Sequence, residues 1–460
     1  MPDQTRWVAV HFLSFGMTPR GRILRSFVRT ALAGELTAAE MTPRLVKALN
    51  RTPPWLKPTL KAFEKQFATG ARPKPSTVAR WLRTRREFVR DLVLRKIHIQ
   101  PIIAPQLAMT PSPGAPRIWT LPQILDLSAL ADWLNITPGE LNWFSRPYRR
   151  LATDRSGARN HYNVLLIPKR SGGGRLLEAP KLRLKLIQRR ILNHILNVIP
   201  PHEAAHAFRC GHSVRDFVVP HLGKTVVLRM DLRDFFPTIR RARVEGIFRS
   251  AGYPESVLAA LAGICTTTTQ PGEWPPAGAW PQAGMERQRM QKLYATPHLP
   301  QGAPSSPSLA NLVAFRMDCR LAALARSGEA TYTRYADDLL FSGGESFARA
   351  VSRFQITAMT IAMDEGFTPH ARKTRVMHQG VRQHAGGIVL NSHSNLPRDE
   401  WDQLKATLHN ALRNGLESQN RDGHPDFLAH LTGRVSYAAS INPNRSAQLQ
   451  SILDQLIEKR

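Results

Sequence analysis

Acidic residues are scarce in this chain. Its 460 residues hold 34 Asp and Glu against 64 Lys and Arg, a net charge of +30. That imbalance argues against an acidic or cation-buffering protein and points to a polyanionic partner. Nucleic acid is the default and a membrane surface the competing reading. Cysteine is scarcer still. Cys210, Cys265 and Cys319 are odd in number and far apart, which excludes a disulfide framework and a cysteine zinc site. A reducing, cytoplasmic compartment fits. Long apolar runs are missing too, so no segment reads as a bilayer span. Trp7 to Gly16 is apolar but short. Arg20-Gly21-Arg22-Ile23-Leu24-Arg25 follows it in place of a small-residue cleavage site, against a signal peptide. There is no internal repeat. What remains is 42% hydrophobic, enough for real cores, at a length that predicts about two or three domains.

The positive charge is unevenly spread. Residues 1–100 carry 20 Lys and Arg against six Asp and Glu. Arg80, Arg83, Arg85, Arg86, Arg90, Arg95 and Lys96 overlie apolar residues at roughly helical spacing (Trp81, Leu82, Phe88, Val89, Leu92, Val93). The pattern predicts a helix laid on nucleic-acid phosphates, or an ordinary solvated face. Pro101, Pro105, Pro111, Pro113 and Pro116 then read as a linker. A short helical stretch is expected over Leu121–Phe144. From Tyr162 the pattern is mixed α/β: strands at Asn163–Pro168 and Arg175–Glu178 around a turn at Ser171–Gly174, a helix over Leu182–Val198, and a buried strand at Thr225–Asp231. Residues 266–298 read as an insertion rich in Thr, Pro, Gly and Trp. Helices are expected over Pro307–Arg326, over Phe347–Glu365 and again from Asp399.

The stretch Tyr335-Ala336-Asp337-Asp338 lies between two short strand-like runs, Thr331–Tyr335 and Leu339–Phe341, closed by Gly343 and Gly344. It predicts a β-hairpin with two carboxylates at its tip. Crowded carboxylates repel unless a cation neutralises them, and an oxygen-seeking divalent ion such as Mg²⁺ is suited to that. A solvated Asp-Asp turn is the plain alternative. Upstream, Val226 to Leu228 lead through Arg229 and Met230 into Asp231, followed by Phe235 and Phe236. A carboxylate at that strand's end can join the hairpin tip, and separate strands carrying carboxylates can hold two metal ions for in-line displacement. Capping a following helix is the alternative role for Asp231. Between them, Gln301-Gly302-Ala303-Pro304-Ser305-Ser306-Pro307 joins a glycine that permits close approach to a ligand with a helix-opening signal. One decoy is present: His202-Glu203-Ala204-Ala205-His206 satisfies a zinc-protease pattern that would put both histidines on one helix face. It follows Ile199-Pro200-Pro201 and has no convincing third ligand.

These motifs stand in the order found in reverse transcriptases, and the chain most resembles the bacterial retron-type group. Ile167-Pro168-Lys169-Arg170-Ser171-Gly172-Gly173-Gly174-Arg175, Glu178-Ala179-Pro180, Gln188-Arg189, Gly386-Gly387-Ile388-Val389-Leu390-Asn391 and the tail Gly415-Leu416-Glu417-Ser418-Gln419-Asn420 extend the likeness over about residues 120–450. Myxobacterial-like members with an N-terminal extension are the nearest in pattern. Two motifs depart from the group. Phe217-Val218-Val219-Pro220-His221 keeps only the histidine of Asn-Ala-x-x-His, and Ala385-Gly386-Gly387 replaces Val-Thr-Gly.

The resemblance implies an α/β (α+β) right-hand polymerase with fingers, a ferredoxin-like palm and a helical thumb. The implied division is a basic helical extension over 1–100, a linker over 101–117, fingers and palm over 118–390 and a thumb over 391–460. It implies RNA-directed DNA synthesis with two Mg²⁺, for which Mn²⁺ would substitute, held by Asp231, Asp337, Asp338 and the Leu232 carbonyl. Phe236 would exclude a ribose 2′-hydroxyl. Lys169 and Arg175 would contact the triphosphate, and Gln301 and Gly302 the template and incoming nucleotide. Lys373 would lie near the pyrophosphate, with a surface salt bridge as its other reading. Arg170, Tyr335, Ser305 and His221 would contact nucleic acid. The implied partners are a structured RNA serving as template and primer, the RNA–DNA hybrid, dNTPs and a nearby-encoded toxin or effector, in the cytoplasm of a bacterium and in anti-phage defence. A defence reverse transcriptase outside the retrons, an RNA-binding scaffold and an intron maturase are the rival readings. A maturase would need an extension beyond the thumb.

Overall fold

The computed structural model describes residues 19–32, 36–67, 73, 75–94, 96–99, 119–145, 161–168, 174–269, 274 and 285–459. They divide into two units, residues 1–199 with 240–305 and residues 200–239 with 306–460.

In the first unit, the basic N-terminal stretch folds into five helices: Pro19–Ala31, Ala38–Leu49, Leu56–Phe67, Pro75–Leu82 and Arg86–Val93. Each is amphipathic, and the apolar faces share a core of their own that includes Phe27, Trp55, Phe63 and Phe88. The single helix expected beneath Arg80–Lys96 is instead two. Thr84 bonds back to the Trp81 carbonyl through its backbone N–H (3.0 Å) and its Oγ1 (2.7 Å), and Arg85 is extended, so the chain turns there. Serine and threonine side chains offer the backbone such an alternative to helix continuation. The Pro-rich linker and the Ser171-Gly172-Gly173 part of the expected turn lie outside the described residues.

Further along this unit, strand β1 (Tyr162–Pro168) pairs antiparallel with β2 (Gly174–Pro180). The long helix expected to Val198 ends at His194 and is followed by a 3₁₀ turn over Leu196–Val198. The part of the insertion that is described contains a helix, Met285–Tyr294, and the buried Trp274.

The second unit is built around strand β3 (Val226–Arg233). Its run of apolar residues lacks strict alternation because both faces are covered, as in an interior strand. Strands β4 (Ala330–Tyr335) and β5 (Asp338–Gly343) form the expected hairpin, and β5 pairs antiparallel with β3. On the other edge of β3 lie the short β6 (Thr368–Pro369) and β7 (Arg375–His378). Helix Ser306–Ser327 packs on β4, and helix Glu345–Asp364 packs on β3, β5 and β6. A small hairpin of β8 (His384–Ala385) and β9 (Ile388–Val389) turns through Gly386 (φ 56°) and Gly387 (φ 78°). Two consecutive positive φ values are what a two-residue hairpin requires, which explains both glycines. Three helices follow, Arg398–Asn414, Phe427–Ile441 and Pro443–Glu458. Their apolar faces share one core with Val227, Leu340 and Met377 of the sheet. Among the described residues no helix is long and apolar enough to cross a membrane.

Candidate active site

Antiparallel register does the main work. β3 and β5 align so that Asp231 stands directly opposite Asp338. Asp337 occupies the turn between β4 and β5, and its carbonyl accepts from the Leu232 N–H at 2.9 Å. Asp231 and the adjacent pair Asp337 and Asp338, 106 or more positions further on, thus bring three carboxylates to one end of the sheet. Asp231 is buried, and Asp337 and Asp338 are half-buried. Asp231 lies inside the strand. Asp234, at φ 52°, occupies the capping position of the short helix Phe235–Thr238, so the capping alternative for Asp231 is set aside.

Two basic side chains answer this charge. Arg229 forks onto Asp338, its Nη2 reaching both carboxylate oxygens at 2.9 and 3.0 Å and its Nε one of them at 3.1 Å. Lys373 Nζ donates to both oxygens of Asp231 at 3.0 and 3.2 Å. No ion pair to Asp337 is found among the described residues. Burial, then the charges of Asp338 and Asp231, raise its carboxyl to about 6. Asp338 is also raised, by burial first, against the opposing pull of Arg229. Among the described residues no three acidic, His or Cys groups converge on a single metal-binding point. The reason is visible in the geometry: Asp338 is turned to Arg229 and Asp231 to Lys373. The donor set nonetheless fits a hard divalent cation. It is all oxygen, and a third carboxylate, Asp337, is held at elevated pKa by burial and then by the neighbouring carboxylates.

The turn that carries Asp337 is clamped from within. Ala336 sits at φ 54°, a left-handed conformation unfavourable for a residue with a Cβ. Arg334, fully buried, donates to the Ala336 carbonyl at 3.1 Å and to Asn311 Oδ1 at 3.0 Å. Its other guanidinium nitrogens fork onto Asp318 at 2.8 and 2.7 Å, and Tyr332 donates to the same carboxylate at 2.7 Å. Arg334 is one of the largest fully buried side chains. Neither Arg229 nor this Arg334–Asp318 pair was expected from the sequence. A signal existed for Arg229: two positions before Asp231 on one strand, it points to the same face. None marked Asp318, which lies on the preceding helix.

Phe236 is half-buried and braced edge-on by Phe235, which in turn stacks on Phe367. Tyr335, half-buried, packs its ring on Phe217. His221 requires a correction. It is fully buried, with Nδ1 2.6 Å from Ser342 Oγ and Nε2 2.8 Å from Thr333 Oγ1, so it braces two strands and has no free face for nucleic acid. The zinc decoy also dissolves. Pro201–His206 is irregular chain with one turn at Glu203 and Ala204, not a helix, and the His202 ring accepts from the Ala204 N–H.

The remaining expected residues belong to the first unit. Arg175 is exposed on β2. Gln301 accepts from the Glu178 N–H at 2.7 Å. Gly302 has φ 122°, and a Cβ there would meet the Leu177 side chain at 3.0 Å and the Glu178 carbonyl at 3.1 Å. The close approach that this glycine permits is therefore to β2 itself. Glu178 is buried and bound by His298 Nε2 at 3.0 Å and by Thr269 Oγ1, which anchors the loop further. Ser305 is a second correction: it is fully buried, beside Cys265, and so is not a surface contact. Lys169 and Arg170 lie outside the described residues.

Residues 167–405 match the family described as reverse transcriptase (RNA-dependent DNA polymerase). The chain is 36% identical to the retron Mx65 reverse transcriptase of Myxococcus xanthus over 377 residues, 80% of this chain and 76% of that one. It is 33% identical to the retron Mx162 reverse transcriptase of the same organism over 74% of this chain and 68% of that one. Against the retron Ec86 reverse transcriptase of Escherichia coli it is 26% identical over 65% and 82%. A telomerase structure from Candida albicans aligns with 65% of this chain and 63% of its own, at 12% identity and a TM-score of 0.35. The mixed α/β architecture agrees with the right-hand polymerase expected from the sequence. The chain belongs to the reverse transcriptases, in their retron-type group, and is an RNA-directed DNA polymerase.

Proposed function

We propose that this polymerase copies a cognate structured RNA into single-stranded DNA, using dNTPs and two Mg²⁺ ions at Asp231, Asp337 and Asp338. The observation that carries this reading is the β3–β5 register, which sets Asp231 against Asp338 beside the Asp337 turn. When bound, the metal would lower the pKa of the primer hydroxyl and neutralise charge on the departing pyrophosphate. Asp231, Asp337 and Asp338 would hold it, with the Leu232 carbonyl beside them, once Lys373 and Arg229 turn from Asp231 and Asp338. Lys373 carries its ammonium beside the carboxylates on a half-exposed side chain, so it can turn towards a leaving phosphate. Phe236 would exclude the ribose 2′-hydroxyl by bulk. The assignment of Lys169, Arg170, Arg175, Gln301 and Gly302 to nucleotide and template rests on the family pattern alone. The net charge of +30 suits an RNA partner.

Asp337→Asn keeps the side chain's shape and removes one carboxylate charge. It should abolish dNTP incorporation on an RNA template, with the melting temperature and RNA affinity near those of the parent. Synthesis at the parent rate would remove Asp337 from the site. Sequencing the nucleic acid that copurifies with the parent protein identifies the template. A DNA joined to one defined RNA supports the cognate reading, and a mixture of cellular RNAs counts against it.

A further inference from the structure

The loop before the short helix Val214–Val218 contains an outlier that the reaction so far leaves unused. Phe208 has φ 61°, in the left-handed region, and the residue is 50% exposed. Either property alone is ordinary. Single exposed apolar side chains need no explanation, and left-handed residues are common where Gly or Asn occupies the position. A bulky aromatic held left-handed and also exposed is different, because burial of the ring does not offset the backbone strain. Such strain persists only where the surroundings impose it, and it clusters at functional sites.

The surroundings here do impose it. The Ala207 carbonyl accepts from Asn311 Nδ2 at 2.8 Å. The His206 N–H donates to the Arg334 carbonyl at 2.8 Å, and the Arg334 N–H donates to the Ala204 carbonyl at 2.6 Å. Arg209 Nη1 closes back on the Ala205 carbonyl at 2.8 Å. Ala205 and Ala207 are both fully buried. The loop is therefore tied to the helix that holds Asn311 and to the strand that leads into the Asp337 turn. The ring so presented lies 6.1 Å, centroid to centroid, from that of Phe236. Both rings are at least partly exposed, and both belong to the second unit.

We propose that Phe208 and Phe236 form one apolar wall against the sugar of the incoming nucleotide, and that Phe208 is a second specificity residue for deoxyribose over ribose. A wall of two rings resists displacement by a 2′-hydroxyl better than one ring on a short helix. It also gives the hydroxyl no hydrogen-bonding partner on that side. The proposal deepens the role of Phe236 proposed for the polymerase and rests on it.

The test compares kcat/KM for a dNTP and for the matching rNTP on an RNA template, in the parent, Phe208→Ala, Phe208→Gly, Phe208→Tyr and Phe236→Ala. Phe208→Gly removes the ring and relieves the left-handed strain, so it separates loss of the wall from loss of folding. Both ring-deleting variants at 208 should lower the dNTP preference by roughly tenfold, the scale of losing apolar complementarity in a pocket. The change should come through the KM values, and Phe208→Tyr should restore the preference. An unchanged preference in both ring-deleting variants, with Phe236→Ala relaxed, overturns the role of Phe208 and leaves Phe236 intact. If neither position changes the preference, the role of Phe236 falls as well. If only the 208 variants relax it, Phe208 alone is the discriminating residue.

Discussion

The buried pair of Arg334 and Asp318 shows how a charged residue can stabilise a strained turn. Both side chains are fully inaccessible, and the guanidinium is satisfied by a carboxylate, an amide oxygen and the Ala336 carbonyl. Asp318 favours the protonated guanidinium against the cost of burial. Taking away one partner of a buried pair strands the other charge, which costs about 3–5 kcal/mol. Asp318→Asn should therefore lower the stability of the second unit by that order in urea unfolding. The residual activity at permissive temperature should fall as well, because the Asp337 turn loses its clamp. A loss below about 1 kcal/mol, the worth of an exposed pair, would show that water reaches the guanidinium. The three carboxylates were legible in the sequence because Asp-Asp between two strand-like runs, and Asp at the end of an apolar run, are local patterns. Asp318 was not, because nothing local distinguishes a helical Asp that binds a distant Arg from one in water.

At the level of elements, the hairpin β4–β5 and the interior strand β3 were readable from apolar runs and turn residues, whereas the glycine turn of β8–β9 was met only as part of a motif. Other readings failed. A Thr84 hydrogen bond broke one expected basic helix in two, the helix expected to Val198 stopped at His194, and His221 and Ser305 proved to be buried. His221 ties β4 to β5 through Thr333 and Ser342, and burial pushes its pKa down from 6.5 to about 3. His206 is lowered to about 4, by burial first and then by His212 and Arg209. A histidine with a depressed folded pKa binds its proton more readily when unfolded. Its contribution to stability is whole above pH 6.5 and is lost as pH falls towards the folded value. Asp337 acts in the opposite sense between its ordinary value of 3.8 and about 6, so the total slope is a balance. The comparison of variants isolates the histidine. Between pH 6.5 and 5 the parent should lose up to about 1.4 kcal/mol per pH unit through His221. His221→Asn, though less stable throughout, should show a slope shallower by that order. Parallel slopes would mean that His221 is protonated in the folded protein.

At the scale of the whole molecule, the positive charge and the motif order were legible long before the contacts were. The helical N-terminal stretch has a core of its own, from Leu24 to Ile97, and its charge lies outside that core. Arg80, Arg86 and Arg90 are exposed on its last two helices, and Arg85 lies over the Trp81 ring at 4.2 Å. Basic side chains interleaved with an aromatic ring suit a nucleic-acid backbone with a base stacked beside it. If these residues hold the RNA, replacing Arg80 and Arg86 by Ala frees phosphates without touching the core, while Arg90 stays because it pairs with the buried Asp91. RNA affinity should then fall, and the plot of log affinity against log salt should flatten by roughly 0.7–0.9 for each phosphate no longer neutralised. DNA synthesis on a saturating concentration of RNA should continue at the parent rate, because the carboxylates lie in the other unit. An affinity and a salt slope equal to those of the parent would leave these arginines as a solvated face and move the RNA-binding role to the rest of the basic surface.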